Sequence, residues 1–255
     1  MQIISIVNLK GGTGKTTTTL NLGKALSLLD KRVLLIDNDP QYNLTKSFAV
    51  DVEDKTIYNV YKNTSKESIL NNIVNINNHL CLVPCSIELA IIEYELHGDA
   101  VNGSYLLKDA LSHISGDYDY VLIDCPPSLG IFTLNALKAS DKAIIICDSD
   151  AYAKQGLEKI MEFIGNLKKR ECKHLSIDGV LVTRVNRTVF RQAVLEALCQ
   201  VYPTYQTYIH ENISITEAPE LKKDIFSHAP KSKGAEDYMN LAKEILGKHE
   251  LVNNN

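Results

Sequence analysis

The chain has 255 residues, of which 45% are hydrophobic, and this is enough to build the core of one large α/β domain. No stretch approaches the roughly 20 consecutive apolar residues of a transmembrane helix, which argues against a protein built on such helices. The formal net charge of −4 excludes an overall basic character, so any nucleic-acid interface has to be a local patch.

Short apolar runs alternate with helical stretches, and this predicts an α/β fold with a mostly parallel sheet and helices on both faces. The predicted strands are residues 3–8, 32–37, 80–84, 120–124, 142–147 and 179–183, with a last short strand at 206–209. The predicted helices are residues 15–29, 86–96, 103–114, 129–139, 154–169, 189–201 and 234–246. The polar segment 51–78 is expected to hold short helices joined by loops.

The chain shows no repeat, low-complexity linker or domain boundary, so we expect a single domain over residues 1–255. The N-terminus enters a predicted strand at once, and we therefore expect no signal peptide. The six cysteines are scattered without a Cys-x-x-Cys pair, which favours free thiols in a reducing cytosol.

The first strand leads directly into a glycine-rich loop. The loop residues are Lys10, Gly11, Gly12, Thr13, Gly14, Lys15, Thr16 and Thr17. The glycines let successive backbone N–H groups point at phosphate oxygens, and the next helix directs the positive end of its dipole to the same place. Lys15 can reach the β- and γ-phosphates, Thr16 can ligate Mg²⁺, and Thr17 can meet the α-phosphate. The loop therefore predicts nucleoside triphosphate binding; the alternative is a glycine turn without a ligand.

This loop departs from the ordinary P-loop, because Leu9 stands where a glycine is usual and Lys10 precedes a Gly-Gly pair. It resembles the deviant Walker A loop of the ParA/MinD group of ATPases. In that family the extra lysine reaches across a dimer interface to the partner's nucleotide, and Lys10 is the matching residue. The resemblance implies ATP as the ligand and catalytic roles for Lys10 and Lys15. A solvated loop lysine is the alternative interpretation of Lys10.

Three aspartates follow apolar strands. Asp124 ends the run 120–124 in the Walker B arrangement, at the edge where α/β sheets bind ligands, and we expect it to hold Mg²⁺ through a water molecule. Asp37 and Asp39 end the second strand one residue apart, so in an extended chain their side chains point the same way. Their segment resembles the family's switch I motif Asp-x-Asp-Pro-Gln, in which the second acid, here Asp39, positions the attacking water. Asp37 is expected to support the magnesium shell, with a helix cap or turn as the alternative.

The resemblance extends over nearly the whole chain. Residues 124–130 read Asp-Cys-Pro-Pro-Ser-Leu-Gly and look like the family's switch II, in which two prolines stiffen the loop. Residues 179–183 with the Arg-Thr pair at 187–188, and residues 216–219 and 230–236, are similar to chromosomal and plasmid ParA/Soj partition ATPases. The chain starts at the first strand, as in the compact ParA type without an N-terminal helix-turn-helix domain.

The family resemblance implies a nucleotide-driven cycle. ATP drives formation of a homodimer, the dimer binds DNA without sequence preference, and a ParB-type activator protein stimulates hydrolysis of ATP to ADP and phosphate. Catalysis needs positioning and charge neutralisation, which the two lysines and Mg²⁺ would supply. The implied location is cytoplasmic and nucleoid-associated, with no membrane partner.

Adenine recognition rests on a weaker match. In the family the base lies near an Ile-Pro-Arg-Asn-like segment, where this chain reads Ile209-His210-Glu211-Asn212. The resemblance carries Asn212 over as a nucleotide contact. A surface asparagine without a ligand is the alternative.

The DNA-binding surface departs furthest from the family. Relatives commonly carry arginines in the segment 210–215, where this chain has Glu211 and Ser214. Arg187 matches a family arginine, and Arg191 lies about one helical turn further on. We therefore predict that these two arginines bind DNA phosphates, with doubling of the surface in a dimer.

Three other function classes make different demands on the sequence. A MinD-like membrane-cycling regulator needs a cationic amphipathic C-terminal helix, whereas the predicted helix 234–246 carries three acids before a polar tail. An iron–sulfur reductase needs paired interface cysteines, and Cys125 has no second cysteine in a matching context. A relative that positions protein cargo would share the same ATPase core, and this alternative stays open.

Overall fold

A computed structural model describes residues 1–52, 54–97, 102–148, 153–186, 196 and 198–253. The strands of its sheet are β1 Gln2–Val7, β2 Val33–Asp37, β3 Val74–Asn77, β4 Leu80–Val83, β5 Tyr120–Asp124, β6 Lys142–Asp148 and β7 Ser176–Thr183. They lie side by side in the order β3–β4–β2–β5–β1–β6–β7. Every neighbouring pair runs parallel except β3 and β4, which are antiparallel. The predicted fold class is confirmed.

The helices occupy both faces of this sheet. They are α1 Lys15–Leu28, α2 Asn43–Lys46, α3 Ile57–Lys62, α4 Lys66–Asn71, α5 Leu89–His97, α6 Leu106–Ser112, α7 Ile131–Ala139, α8 Ala153–Arg170, α9 Ile213–Glu220, α10 Ile225–His228 and α11 Lys233–Asn253, with a 3₁₀ turn at Asn102–Ser104. α1 and α11 pack on one face, whereas α6, α7 and α8 pack on the other. No described helix is long and apolar enough to cross a membrane.

Burial on both faces explains why the strands read as continuous apolar runs. In β1, Ile4 and Ile6 belong to the core under α1 and α11, while Ile3 and Val7 belong to the core under α6, α7 and α8. Successive side chains of a strand point to opposite faces, so a strand covered on both sides needs an apolar residue at almost every position. The polar side chains then come where the strand ends.

Two features of the fold correct the sequence prediction. The segment 51–78 holds the expected short helices α3 and α4, but it also contains the antiparallel edge strand β3, in which half-buried Val74 and Ile76 alternate with exposed asparagines. The predicted strand at 206–209 is wrong. Thr204 forms an isolated bridge to β7, and His210 forms a second one to Val185 just beyond the end of that strand. Between them, the Ile209 N–H donates to the Val182 carbonyl oxygen of β7 at 2.9 Å.

The interruption of this last strand is caused by a contact with a helix that is distant in the sequence. The backbone N–H groups of Gln206 and Thr207 donate to the two carboxylate oxygens of Glu244 on α11, each at 2.9 Å. These donors are therefore satisfied by a side chain and do not join a strand ladder. α2, α9 and α10 were not predicted, and the predicted helix 189–201 falls largely outside the described residues.

Candidate phosphate-binding site

The glycine-rich loop is tied to the sheet from both of its ends. The Asn8 side chain donates to the Ile146 carbonyl oxygen of β6 at 2.5 Å and accepts the Lys10 backbone N–H at 2.9 Å. The Thr183 hydroxyl at the end of β7 donates to the Thr13 carbonyl oxygen at 2.9 Å. These contacts hold the loop above the carboxyl ends of β1, β6 and β7.

The glycines give the loop a shape that other residues adopt with difficulty. Gly12 and Gly14 have φ angles of 71° and 97°, in the left-handed region that favours glycine. A Cβ atom built on Gly11 or Gly12 would meet nothing within 4 Å, so the space beside the loop is open to a ligand. Gly14 is the N-cap of α1 and supplies no side-chain cap, which leaves the first N–H groups of this helix available to an anion.

Lys15 is placed beneath the loop with its charge largely removed from water. Lys15 is only 6% exposed, and its ammonium donates to the Lys10 carbonyl oxygen at 3.1 Å. Burial lowers the pKa of Lys15, and the nearby Asp124 carboxylate opposes this shift. Lys10 itself lies exposed at the start of the loop.

Thr16 and Asp124 meet at the carboxyl edge of the sheet. The Thr16 hydroxyl donates to Asp124 Oδ2 at 2.7 Å, while the other oxygen, Asp124 Oδ1, is buried and has no hydrogen-bond partner. Burial and the neighbouring Asp37 charge raise the pKa of Asp124 well above its usual range. Thr17 follows, half-buried in the first turn of α1. A buried carboxylate oxygen without a partner is costly, and a bound cation would satisfy it.

Asp37 pairs with Asp124 in the sheet register but makes different contacts. Its Oδ2 accepts both the backbone N–H and the hydroxyl of Thr45, each at 2.7 Å, so it caps the N-terminal turn of α2. The Asp39 backbone N–H lies 3.4 Å from Asp37 Oδ1. Burial raises the pKa of Asp37 to about 6. The capping interpretation of Asp37 is thus observed, and its magnesium role stays a prediction.

Asp39 lies in a tight turn next to this cap. It is 8% exposed, and its Oδ1 accepts the Gln41 backbone N–H at 2.9 Å. Its own carbonyl oxygen accepts the Tyr42 backbone N–H at 2.8 Å. The carboxylate is therefore oriented by its own turn, at the same sheet edge as Asp124.

A buried polar network behind the acids was missed by the sequence analysis. Asn38 is fully buried, donates to the Phe132 carbonyl oxygen of α7, and accepts the Tyr61 hydroxyl of α3, each at 2.9 Å. The available signal was the alternation of the strand, which sends Asn38 to the face opposite Asp37 and Asp39. This network joins the turn of Asp39 to the helix that follows the Asp124 loop.

The donors at the site suit a hard divalent cation. Carboxylate and hydroxyl oxygens are the protein ligands that Mg²⁺ prefers, and the orphaned Asp124 Oδ1 has no other partner. Within the described ranges, no three His, Cys, Asp or Glu side chains lie close enough to share one metal ion. A magnesium ion here would therefore have few direct protein ligands, as is usual when phosphates and water complete its shell.

Asn212 and the two arginines are the remaining residues of the predicted site. Asn212 is the N-cap of α9, and its Oδ1 accepts the Ser214 backbone N–H at 2.9 Å. This local role accounts for its side-chain oxygen, and its contact with a base stays a prediction. Arg187 and Arg191 lie outside the described residues.

Comparison with protein families and curated proteins gives full-length similarity. A family model described as an AAA domain matches residues 1–177. The sporulation initiation inhibitor protein Soj of Bacillus subtilis is 38% identical over 249 residues, which cover 96% of this chain and 98% of Soj. The chromosome partitioning protein ParA of Myxococcus xanthus is 34% identical over 250 residues, which cover 96% of this chain and 88% of that protein.

The similarity to solved structures also extends over nearly the whole chain. Cobyrinic acid a,c-diamide synthase from Mycobacterium smegmatis, with a bound ATP analog and magnesium, superposes with a TM-score of 0.80 at 30% identity, over 96% of this chain and 94% of that one. The complex of Cyanothece McdA with ATP superposes with a TM-score of 0.84 at 26% identity, over 97% and 96% of the two chains.

Proposed function

This chain belongs to the ParA/Soj-type family of partition ATPases, and from that premise we propose that it is a Mg²⁺-dependent ATPase of DNA partition. In this proposal it hydrolyses ATP to ADP and phosphate and dimerises with ATP bound. The dimer binds DNA without sequence preference, and a ParB-type protein stimulates hydrolysis.

The observation that carries the ATPase proposal is the pairing of Thr16 with Asp124 beneath the open glycine loop. The loop leaves room for phosphates, and α1 directs free N–H groups toward them. Asp124 Oδ1 has no hydrogen-bond partner within the fold. Similar folds carry an ATP analog with magnesium and ATP in their structures. Mg²⁺, when bound, would neutralise charge that develops on the phosphates, with Thr16 and Asp124 on its protein side.

The chemistry falls to the side chains around that pair. Lys15 is already desolvated, so its charge acts at short range on phosphate oxygens at low cost in reorganisation. Asp39 is held by its turn at the same edge and orients the attacking water. Lys10 is exposed and extends the positive charge toward a second protomer. Asp37 supports the arrangement indirectly, because it fixes α2 and the turn that carries Asp39.

The dimer proposal has further support in an exposed apolar stripe on α5 and the residues before it. Ile87, Ile91 and Tyr94 are 60%, 57% and 88% exposed; Ile91 and Tyr94, three residues apart, share one side of α5, and Ile87 lies in the turn just before this helix. Contiguous exposed apolar residues of this kind mark interaction surfaces. The segment begins just after the carboxyl end of β4, at the edge that carries the phosphate-binding loop. We name these three residues the α5 stripe and assign it to the ATP-dependent dimer.

DNA binding and domain organisation complete the proposal. Arg187 and Arg191 supply phosphate contacts in a single ParA-like domain, and dimerisation doubles them. A membrane-cycling role fits less well, since the apolar face of α11, including Tyr238, Leu241 and Ile245, is buried in the core. The proposal therefore places the protein on nucleoid DNA.

The proposal is tested with the wild type and an Asp39→Ala variant. Release of phosphate from ATP with Mg²⁺ should fall by at least about 100-fold in the variant, because a water-orienting carboxylate is lost. Sedimentation with ATP should show a dimer of the variant that co-sediments with nonspecific duplex DNA at low salt. A wild type that neither hydrolyses ATP nor dimerises would contradict the proposal, and a dimer that ignores DNA would restrict it to the ATPase cycle.

A further inference from the structure

Tyr42 occupies a backbone conformation that tyrosine rarely adopts. Its φ and ψ angles are 45° and 36°, in the left-handed region, and it is the residue from which α2 begins. Most residues with a Cβ atom are strained there, whereas glycine has no Cβ atom and asparagine tolerates the conformation because its short polar side chain can hydrogen-bond locally. Such strain persists only where the surrounding contacts compensate it, and it is concentrated at functional sites.

Two of the contacts that compensate this strain involve the turn of Asp39. The Tyr42 backbone N–H donates to the Asp39 carbonyl oxygen at 2.8 Å and closes the turn. The Lys46 ammonium lies 3.8 Å from the centroid of the Tyr42 ring and donates to the Gln41 carbonyl oxygen at 3.2 Å. Lys46 thus contacts both the ring of Tyr42 and the backbone of the turn.

The ring also anchors the turn to the core. Tyr42 is half-buried and packs against the core cluster beneath α6, α7 and α8, a cluster that Leu9 at the entrance of the phosphate-binding loop contacts as well. Without the ring, a glycine or asparagine at this position would keep the backbone path but lose this anchor. The turn of Asp39 would then be held by its hydrogen bonds alone, without the packing of the ring.

We propose that Tyr42 is a positioning residue for Asp39: its ring, clamped between the core and Lys46, holds the turn so that the Asp39 carboxylate faces the phosphate-binding loop. This inference rests on the proposed ATPase function. The tyrosine hydroxyl has no part in it, so the aromatic ring is what matters. The strained backbone conformation of Tyr42 persists because the packing of its ring compensates it.

The test uses Tyr42→Gly and Tyr42→Asn, which both suit a left-handed backbone, together with Tyr42→Phe. The two ringless variants should lower kcat for ATP hydrolysis by about tenfold or more, with nucleotide affinity within about twofold of wild type, because the glycine loop and Thr16 are untouched. Tyr42→Phe should retain wild-type kcat. Lys46→Met, which removes only one side of the clamp, should show a smaller loss in kcat than the ringless variants.

Tyr58→Ala is the matched control, since Tyr58 packs on the same cluster and carries Lys62 at 5.7 Å from its ring centroid but lies on α3. It should leave kcat close to wild type. Wild-type kcat in Tyr42→Gly and Tyr42→Asn, or an equal loss in the control, would overturn the inference while the ATPase stands. Absence of hydrolysis in the wild type would instead contradict the proposed function.

Discussion

The two edges of the sheet each hold a buried carboxylate, and their surroundings are opposite. At the carboxyl edge, Asp124 has one oxygen without a partner and a like-charged neighbour in Asp37. At the amino edge, Asp178 Oδ1 lies 2.8 Å from the Lys142 ammonium and 3.1 Å from His249 Nε2, and its Oδ2 accepts the Tyr205 hydroxyl.

The pKa values of the two acids move in opposite directions for this reason. Burial is the largest influence on both and raises the pKa of each. At Asp178 the hydrogen bonds from His249 and Lys142, with a third from a tyrosine hydroxyl, outweigh burial and hold the pKa well below its usual value. At Asp124 the Asp37 charge adds to burial. Asp178 is thus satisfied within the fold, whereas Asp124 keeps an oxygen that the proposed Mg²⁺ would satisfy.

Removal of the Lys142 charge should destabilise the amino edge of the sheet, where Asp178 lies. In Lys142→Met, Asp178 keeps a side chain that is 5% exposed but loses its cation, and we expect a loss of about 3–5 kcal/mol in the free energy of unfolding. Chemical denaturation measures it. Lys62→Met is the control, because the side chains of Lys62 and its partner Glu95 are 44% and 48% exposed, and loss of this surface pair should lower stability far less. Equal losses in both variants would contradict the contrast.

Asp124→Asn tests the unsatisfied edge. Mg²⁺ with ATP at about 100 times its dissociation constant should stabilise the wild type by about 2.7 kcal/mol, and the variant should lose most of the magnesium-dependent part. Without ligand, Asp124→Asn should be at least as stable as wild type, since the repulsion from Asp37 is relieved while the Thr16 contact can persist. Asp178→Asn should be less stable than wild type without ligand, but Mg²⁺ with ATP should still stabilise it fully. Thermal unfolding with and without ligand separates these outcomes.

The sequence predicted the first of these edges far better than the second. β1, β2 and β5 are buried on both faces, so they read as apolar runs, and the polar residues at their ends are conspicuous. The network of Asp178 and His249 joins residues 71 positions apart, and no local pattern indicates it. The interrupted strand at 206–209 failed for the same reason, because its N–H donors are satisfied by Glu244 from a distant helix. Local spacing also does not indicate that Asp124 Oδ1 lacks a hydrogen-bond partner.

The acids should also differ in how they link stability to pH. The pKa of Asp37 rises from 3.8 to about 6 on folding, so its protonated form adds stability below about pH 4, and this is lost as pH rises through 6. In metal-free and nucleotide-free protein, the wild type should lose about 2 kcal/mol between about pH 4 and pH 7 relative to Asp37→Asn. Asp178 has a lowered pKa, so its carboxylate contributes stability above about pH 3.8. This contribution is lost only as the pH falls below that value. Asp178→Asn should therefore keep the wild-type slope in this window; a wild-type slope in Asp37→Asn would refute the assignment.

The smallest effect concerns exposed apolar residues at the two edges. Ile91 of the α5 stripe belongs to an element that starts at the carboxyl edge, while Leu28, 49% exposed, ends α1 at the amino edge. Ile91→Asp should weaken the ATP-dependent dimer by about tenfold, or about 1.4 kcal/mol, because a charge is buried in an apolar contact. Leu28→Asp should leave the dimer unchanged, since its edge carries no part of the nucleotide site. Sedimentation of both variants with Mg²⁺ and ATP measures this, and nucleotide binding by the monomer is the check that Ile91→Asp acts on association alone. If Leu28→Asp alone disrupts the dimer, the amino edge is the interface and the assignment of the α5 stripe is wrong.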